Sequence, residues 1–261
     1  MEFGVVSPVA IAGMIFSLII AVVLPIALII IAKVKYNAKL STFFIGVGTF
    51  ILFAMILEQI MHVVVIGAVG QDKLTANVWL YGLYGGMAAA VFEETGRLIA
   101  MKFFMKKRLD RANAFMYGIG HGGGEAIIIV GLQCISNIAT AIAVNTGMIQ
   151  ASLSLLDDNT REITYQQVSQ LWTLPAYQFF FAGIERISAI TCHIVMTFFT
   201  YKGVKSGKKV YIAIAYAIHF IIDFSTVVMA QYASIVVVEG VLLIMAAVGV
   251  FAAYKVNRSE E

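Results

Sequence analysis

Long apolar runs separated by short polar segments dominate the chain. Seven runs reach the length of about 20 residues that a helix needs to cross a bilayer. They are approximately Val5–Ile31, Ser41–Val69, Val78–Phe104, Ala112–Val144, Pro175–Tyr201, Val210–Met229 and Ala233–Tyr254. Membrane-spanning strands are short and alternate in polarity, so runs of this length favour helices. The pattern therefore predicts an all-α, polytopic membrane helix bundle of about seven transmembrane helices.

The composition agrees with a membrane protein, because 61% of residues are hydrophobic and 13% are charged. A soluble domain carries about twice that charged fraction. We find no linker and no internal repeat, and we expect one integral membrane domain over residues 1–261, in the cell membrane. The first run lacks a preceding basic segment and a clear cleavage site, so we expect a retained helix rather than a signal peptide.

Basic residues occur mainly after the first, third, fifth and seventh runs. They are Lys33, Lys35, Lys39, Lys102, Lys106, Lys107, Arg108, Arg111, Lys202, Lys205, Lys208, Lys209, Lys255 and Arg258. The opposite loops contribute only Lys73 and Arg161. Loops rich in lysine and arginine stay in the cytoplasm, which predicts an external N-terminus and a cytoplasmic C-terminus. These residues set orientation, and we expect no nucleic-acid partner.

Ionisable residues inside the apolar runs are the main chemical feature. They are Glu58, His62, Glu93, Glu94, Arg97, His121, Glu125, Glu185, Arg186, His193, His219, Asp223 and Glu239. The protein has four histidines, and all four lie in these runs. Because a charge inside the bilayer is costly, such residues indicate a functional site.

The predicted depth of these residues in the membrane reduces the number of candidate site residues. Counted at about 1.5 Å per residue from the predicted cytoplasmic end, Glu93 and Glu94 lie roughly 15 Å deep. By the same rise, His121, His193 and His219 lie roughly 12–14 Å deep. Four helices therefore present these groups at nearly one height. Glu58 and His62 fall in the external half, and we leave them outside the predicted site.

Helical spacing suggests local partners for the buried charges. Residues three or four apart share a helix face, which applies to Glu94 and Arg97, to His121 and Glu125, and to His219 and Asp223. Arg97 also lies four residues after Glu93. Three glycines after His121, at 122–124, allow another helix or a substrate to approach closely.

This set of side chains suits peptide hydrolysis, which needs an activated water, a proton donor and hydrogen bonds to the oxyanion. Two adjacent carboxylates in an apolar site do not ionise together readily. We expect Arg97 to hold one of them ionised while the other activates water with His121. His219 can then donate to the oxyanion. We find no serine or cysteine in a nucleophile motif.

Metal dependence stays open at this point. No HExxH motif occurs, yet histidines on separate helices can still hold zinc. The ligands would then be His121, His193, His219 and Glu93. We favour a site without a cofactor.

Each feature also has a structural interpretation. The acidic pair with Arg97 could be an ion-pair knot, and one intramembrane histidine often serves as an interhelical hydrogen-bonding residue. Two other functions also use such residues. A proton-coupled transporter uses intramembrane acids and histidines, and facing histidines such as His121 and His193 can ligate haem. The joint occurrence of the acidic pair, the arginine and three histidines at one depth favours a peptidase.

Four segments resemble a known family. They are VFEETGR (Val91–Arg97), YGIGHGGGE (Tyr117–Glu125), IERISAITCH (Ile184–His193) and HFIID (His219–Asp223). They are similar to the YhfC-like membrane peptidases of bacteria, which are related to the CPBP (CAAX protease/ABI) and PrsW-like glutamic-type intramembrane proteases. The resemblance implies the bacterial cytoplasmic membrane and a membrane-protein, lipidated or peptide substrate.

The resemblance also implies roles for individual residues. The family pattern is an acidic pair followed by a basic residue, an aromatic residue four before a histidine, and a histidine four before asparagine or aspartate. In the family the acidic pair and first histidine activate water, and the last pair polarises the substrate carbonyl. Arg97 is one residue closer to the acidic pair than in the CPBP form. An ionised Asp223 cannot donate a hydrogen bond, so it is either protonated or orients His219. The predicted catalytic set is Glu93, Glu94, Arg97, His121, Glu125, His193, His219 and Asp223.

Overall fold

The structure, a computed structural model, describes residues 2–258, and helices follow one another with short connections throughout this range. The helices are α1 (Pro8–Tyr36), α2 (Leu40–Phe50), α3 (Gln59–Val69), α4 (Gln71–Thr75), α5 (Val78–Ile99), α6 (Arg111–Glu125), α7 (Leu132–Asn145), α8 (Met148–Ser154), α9 (Asp158–Thr173), α10 (Gln178–Ser206), α11 (Lys209–Tyr232) and α12 (Ile235–Arg258). Within residues 2–258 no strand occurs, which confirms the all-α class.

Three π-helical segments interrupt these helices. They are Ile51–Glu58, Ala100–Phe104 and Ala126–Gly131. The first joins α2 to α3, the second extends α5, and the third joins α6 to α7. Such segments are rare and frequently mark functional sites. Here one ends at Glu58 and another begins directly after Glu125.

Six continuous helical stretches in the described part of the chain are long and apolar enough to cross a membrane. They are Pro8–Tyr36, Leu40–Val69, Arg111–Asn145, Gln178–Ser206, Lys209–Tyr232 and Ile235–Val256. They confirm a polytopic, multi-pass membrane protein. Helix α5, expected to be a third span, is not among them, since it carries Glu93, Glu94 and Arg97. The seven-span count and the orientation stay predictions.

The chain divides into two compact units, each built from two segments. The first unit comprises Met1–Val23 and Ala126–Arg186, and the second comprises Leu24–Glu125 and Ile187–Glu261. Residues 1 and 259–261 lie outside the described residues. The expectation of a single integral membrane domain over residues 1–261 stays a prediction.

The first unit has an apolar core of its own. The core residues are Val6, Ala10, Met14, Ala141, Val144 and Leu171. The segment between α7 and α10 contains α8 and α9. Asp157 caps α9, because its carboxylate accepts a hydrogen bond from the Thr160 backbone N–H at 3.0 Å. The hydrogen bonds from Thr160 lower the pKa of Asp157.

Glycines let α6 pack closely on its neighbours in the second unit. A Cβ added to Gly120 would lie 2.1 Å from the carbonyl oxygen of Phe43 on α2. A Cβ added to Gly122 would lie 2.9 Å from the Cβ of His193 on α10. Small residues allow such backbone contact between membrane helices. The glycines therefore bring His121 on α6 close to His193.

A similar contact joins α5 to α11. A Cβ added to Gly86 would lie 3.0 Å from the backbone nitrogen of Phe224 and 3.1 Å from the carbonyl oxygen of Phe220. These distances are shorter than most Cβ contacts, so a larger side chain here would require the α11 backbone to shift by a few tenths of an ångström. The approach places the acidic pair of α5 beside His219 of α11.

We predict that Gly120→Ala destabilises the protein, because the new methyl group overlaps the Phe43 carbonyl oxygen. Overpacking of this kind costs about 1–3 kcal/mol. Gly48→Ala is the matched control on α2, since no atom lies within 4 Å of its added Cβ. Thermal unfolding in detergent measures both variants. Equal transition temperatures for Gly120→Ala and the unmodified protein would contradict the packing described.

Candidate active site

A hydrogen bond between α5 and α6 forms the centre of the site. His121 Nε2 lies 2.8 Å from Glu93 Oε2. His121 is fully buried and Glu93 is 8% exposed. The rings of Phe50 and Tyr117 pack around His121, with ring centroids 5.7 and 6.1 Å away. The pair is therefore a carboxyl and an imidazole held together in apolar surroundings.

The neighbouring carboxylate, Glu94, has different partners. Arg97 Nε donates to Glu94 Oε2 at 2.9 Å, and His219 Nδ1 lies 2.9 Å from Glu94 Oε1. Both oxygens of Glu94 are thus engaged, and Glu94 and Arg97 are fully buried. A buried charge of either sign needs such pairing. The two adjacent glutamates consequently occupy distinct environments.

The remaining nitrogens of Arg97 bind α10. Its Nη1 donates to the carbonyl oxygen of His193 at 3.0 Å and to Thr197 Oγ1 at 2.5 Å. Its Nη2 donates to His193 Nδ1 at 3.1 Å. The Thr197 hydroxyl in turn donates to the His193 carbonyl at 2.6 Å. One guanidinium therefore fixes both the backbone and the ring of His193.

These contacts determine the tautomer of His193. A guanidinium can only donate hydrogen bonds, so His193 Nδ1 accepts from Arg97 and carries no proton. The proton of the neutral ring then lies on Nε2, which is 2.7 Å from Glu125 Oε2. We infer that His193 donates from Nε2 to the Glu125 carboxylate.

His219 lies between two carboxylates. In addition to Glu94 at Nδ1, Asp223 Oδ2 lies 3.4 Å from its Nε2. The Asp223 side chain is 34% exposed, compared with 5% for His219. The His193 and His219 rings meet edge to face with centroids 5.6 Å apart, and the His121 and His193 rings are tilted by 31° with centroids 4.9 Å apart. The three histidine rings therefore adjoin one another.

All eight residues of the predicted catalytic set thus lie in one connected group within the second unit. Their catalytic roles stay predictions. Helical spacing identified the partners of Arg97 and Asp223 but not those of His121. His121 binds Glu93 on another helix, while Glu125 binds His193. Close packing at Gly122 brings α10 near enough to provide that partner.

Sequence reasoning missed Thr197, whose hydroxyl accepts from Arg97. It lies four residues after His193, the spacing at which a threonine hydroxyl bonds a helix carbonyl. Many threonines in helices have that spacing, so only the structure distinguishes this one.

Glu58, which we left outside the predicted site, interacts with residues of that site. It is buried and interacts electrostatically with Glu93, His219 and Asp223. The Oε1 atom of Glu58 also lies 3.2 Å from Nε2 of His62. The π-helical segment Ile51–Glu58 departs from the uniform α-helical rise on which the depth count depends.

Three of the residues could hold a metal ion. Glu93, His121 and His193 each present a ligand atom, and these atoms lie within 4.8 Å of one another. Two histidines and one glutamate are a donor set of zinc hydrolases, which leave a fourth position for water. His121 Nδ1 is buried without a hydrogen-bond partner. By donor type and distance this group fits zinc.

The hydrogen bonds distinguish the histidines as ligands. A ligating histidine normally donates its second N–H to an acceptor. His219 has this arrangement, since Glu94 faces its Nδ1. His193 has a guanidinium at Nδ1 instead, and a metal at Nε2 would compete with the proton shared with Glu125. His193 is therefore the less favourable donor.

Comparison with known proteins places the chain in a family. The model of a family described as YhfC intramembrane metalloprotease matches residues 20–242. The Bacillus subtilis (strain 168) protein described as "Uncharacterized membrane protein YhfC" is 35% identical over 245 residues, covering 92% of this chain and 93% of that protein. No solved structure matches the chain. The chain belongs to the YhfC intramembrane metalloprotease family.

Proposed function

We propose that the protein is an intramembrane peptidase that hydrolyses a peptide bond of a membrane-associated substrate. The observation that carries the proposal is the Glu93–His121 pair, 2.8 Å apart and enclosed by membrane helices. The family description supports protease activity. The relation to CPBP and PrsW-like glutamic-type proteases is part of the proposal.

Glu93 is the general base in this mechanism, and His121 holds its carboxylate in place. Glu93 takes a proton from a bound water, and the resulting hydroxide adds to the substrate carbonyl carbon. When the C–N bond breaks, Glu93 returns that proton to the leaving amine. Glu94 is unsuited to this role, because Arg97 and His219 occupy both of its oxygens.

In its doubly protonated form, His219 is the donor to the oxyanion, because its Nδ1 proton is already given to Glu94 and Nε2 must carry a second proton. Its Nδ1 is anchored to Glu94 at 2.9 Å, which directs Nε2 toward Asp223 and the more exposed part of the site. A donor that is already oriented stabilises developing negative charge without reorganising. Asp223 orients the ring through Nε2 until substrate replaces it. Glu125 and Arg97 together fix His193.

A metal ion, where bound, would be held by Glu93 and His121 with His193 or His219 as the third donor. It would supply Lewis-acid polarisation of a bound water or carbonyl. We favour activation of water by Glu93 and His121 without a metal, because the existing hydrogen bonds of His193 oppose ligation.

The substrate class follows from the location of the site among membrane helices. We propose a transmembrane segment, a lipidated tail or a small peptide, cleaved in a bacterial cytoplasmic membrane. A haem protein is less favoured, because the His121 and His193 rings contact one another and leave no space for a porphyrin. The description of the family as a metalloprotease does not favour a transporter function.

We predict that Glu93→Gln abolishes substrate processing while the protein still accumulates in the membrane. Glutamine keeps the shape of the side chain but cannot accept a proton, and loss of a general base costs about 10²- to 10⁴-fold in rate. Comparing membrane proteomes of cells with unmodified and variant protein would reveal an accumulating precursor. His121→Ala should accumulate the same precursor.

The matched control is Glu162→Gln, which makes the same chemical change on exposed helix α9. It should leave the membrane proteome unchanged. Full processing of every membrane protein by Glu93→Gln, at equal abundance, would refute the role given to Glu93.

We also predict that a chelator leaves activity intact and that the purified protein contains no stoichiometric zinc. Elemental analysis of the protein, alongside His121→Ala and the control His62→Ala, measures this independently of activity. Zinc present in the unmodified protein and lost only in His121→Ala would overturn the metal-free mechanism. Activity lost to chelator and restored by zinc would overturn it as well.

A further inference from the structure

A hydrogen-bonded chain of three side chains lies outside the predicted catalytic set, within the second unit. Nδ1 of His62 on α3 lies 2.6 Å from the Tyr84 hydroxyl on α5. Nε2 of the same ring lies 3.2 Å from Oε1 of Glu58. Glu58 is buried, and the His62 side chain is 22% exposed. An imidazole bound at both nitrogens by groups that can carry a proton has the arrangement of a proton shuttle.

The packing of two helical stretches places the Glu58 end of this chain. The stretch from α2 to α3 runs antiparallel to α5, because His62 meets Tyr84 near the start of α5 while Phe53 meets Gly96 near its end. A Cβ added to Gly96 would lie 2.6 Å from Cγ of Phe53. Glu58 lies between these two contacts in the sequence. It therefore lies opposite the part of α5 between residues 84 and 96.

Glu58 consequently adjoins groups of the proposed reaction. Glu93 belongs to this part of α5, and Glu58 interacts with it electrostatically. From α11, His219 and Asp223 also interact with Glu58. Together with His62 on its own helical stretch, these are the charged and titratable groups that Glu58 meets. The chain thus has one end near the candidate active site and the other at Tyr84.

Both protonation states of Glu58 keep the chain hydrogen-bonded. When Glu58 is ionised, it accepts from the Nε2–H of His62, and Nδ1 accepts from the Tyr84 hydroxyl. When Glu58 is protonated, it donates to Nε2, and the Nδ1–H donates to the Tyr84 oxygen. The Tyr84 hydroxyl then has the sulfur of Met61 as its acceptor, 3.6 Å away. The chain can therefore gain a proton without leaving His62 or Tyr84 unpaired.

We propose that Tyr84, His62 and Glu58 relay a proton to the amine product of the peptide hydrolysis. This inference rests on the proposed function. A proton from water binds the Tyr84 oxygen as the Tyr84 hydroxyl proton passes to Nδ1 of His62 and the Nε2 proton passes to Glu58. Glu93 gives the amine its first proton when the C–N bond breaks. Glu58 then gives the second proton and becomes a carboxylate again, and the amine leaves as an ammonium ion that cannot attack the carbonyl carbon.

Cleavage kinetics of the full-length protein in proteoliposomes test the relay. The substrate is the precursor that accumulates in cells with Glu93→Gln. Because proton transfer by a side chain contributes about 10²- to 10⁴-fold, His62→Ala and Tyr84→Phe should each lower kcat at least about tenfold and leave KM within about twofold. Tyr81→Phe makes the same change at an exposed tyrosine of α5. This matched control should keep the kcat of the unmodified protein.

Chemical rescue of His62→Ala separates proton transfer from packing. Added imidazole accepts a proton at one nitrogen and donates from the other, so it should restore most of the lost kcat. N-methylimidazole has a similar shape but no N–H, and it should not restore kcat. Since both molecules fill similar space, their comparison stays decisive if the variant is less stable than the unmodified protein.

Three results would overturn the relay alone. They are an unchanged kcat in His62→Ala, a raised KM with an unchanged kcat in Tyr84→Phe, and equal rescue by the two imidazoles. Normal processing by Glu93→Gln would instead refute the proposed function, and the relay would fall with it. The state of Glu93→Gln therefore distinguishes the two failures.

Discussion

A positive charge buried among membrane helices has to be satisfied by protein groups, and Arg97 is that charge here. Its guanidinium is fully buried and donates to Glu94, His193 and Thr197. Glu94 then carries the connection to His219. Separating α5, α10 or α11 would leave at least one of these groups unpaired, which costs several kcal/mol when one partner of a buried pair is lost. The geometry of the site therefore depends on the same bonds that hold these helices together.

This constraint gives two adjacent glutamates different partners. Glu94 pairs with Arg97 through one oxygen and with His219 through the other. Glu93 faces His121 and is slightly exposed. Neighbouring helix residues point about 100° apart, so they naturally meet different surroundings. An acidic pair thus places one carboxylate against Arg97 and one against His121 at neighbouring positions of the same helix.

The fold class and the proximity of the eight candidate residues could be predicted, because hydropathy and the regular rise of a helix both depend on the sequence alone; the catalytic roles of these residues stay predictions. The contacts between helices could not be predicted. His121 pairs with Glu93, and Glu125 pairs with His193. Glycines allow the helix backbones to pack this closely, but a glycine in the sequence does not reveal which helix packs against it. Glu58 ends a π-helical segment, and its depth in the membrane stays a prediction. Helix α5 is long enough to cross a membrane, but it is not among the helices that are apolar enough, so its place as a span stays a prediction.

The family description as metalloproteases and the hydrogen bonds of this site lead to a specific question about two histidines. The Glu94 carboxylate faces Nδ1 of His219, as an acceptor faces the second nitrogen of a metal-bound histidine. The Arg97 guanidinium faces Nδ1 of His193 instead. A cation already beside the ring repels a second cation, and the Nε2 proton of His193 is held by Glu125. Metal ligation by His193 would thus require the side chain of Arg97 or Glu125 to move. Movement of Arg97 would leave Glu94 buried without its cationic partner. The residues whose ligand atoms lie close together are Glu93, His121 and His193, so a metal bound there would have to displace a hydrogen bond that His193 makes to Arg97 or Glu125.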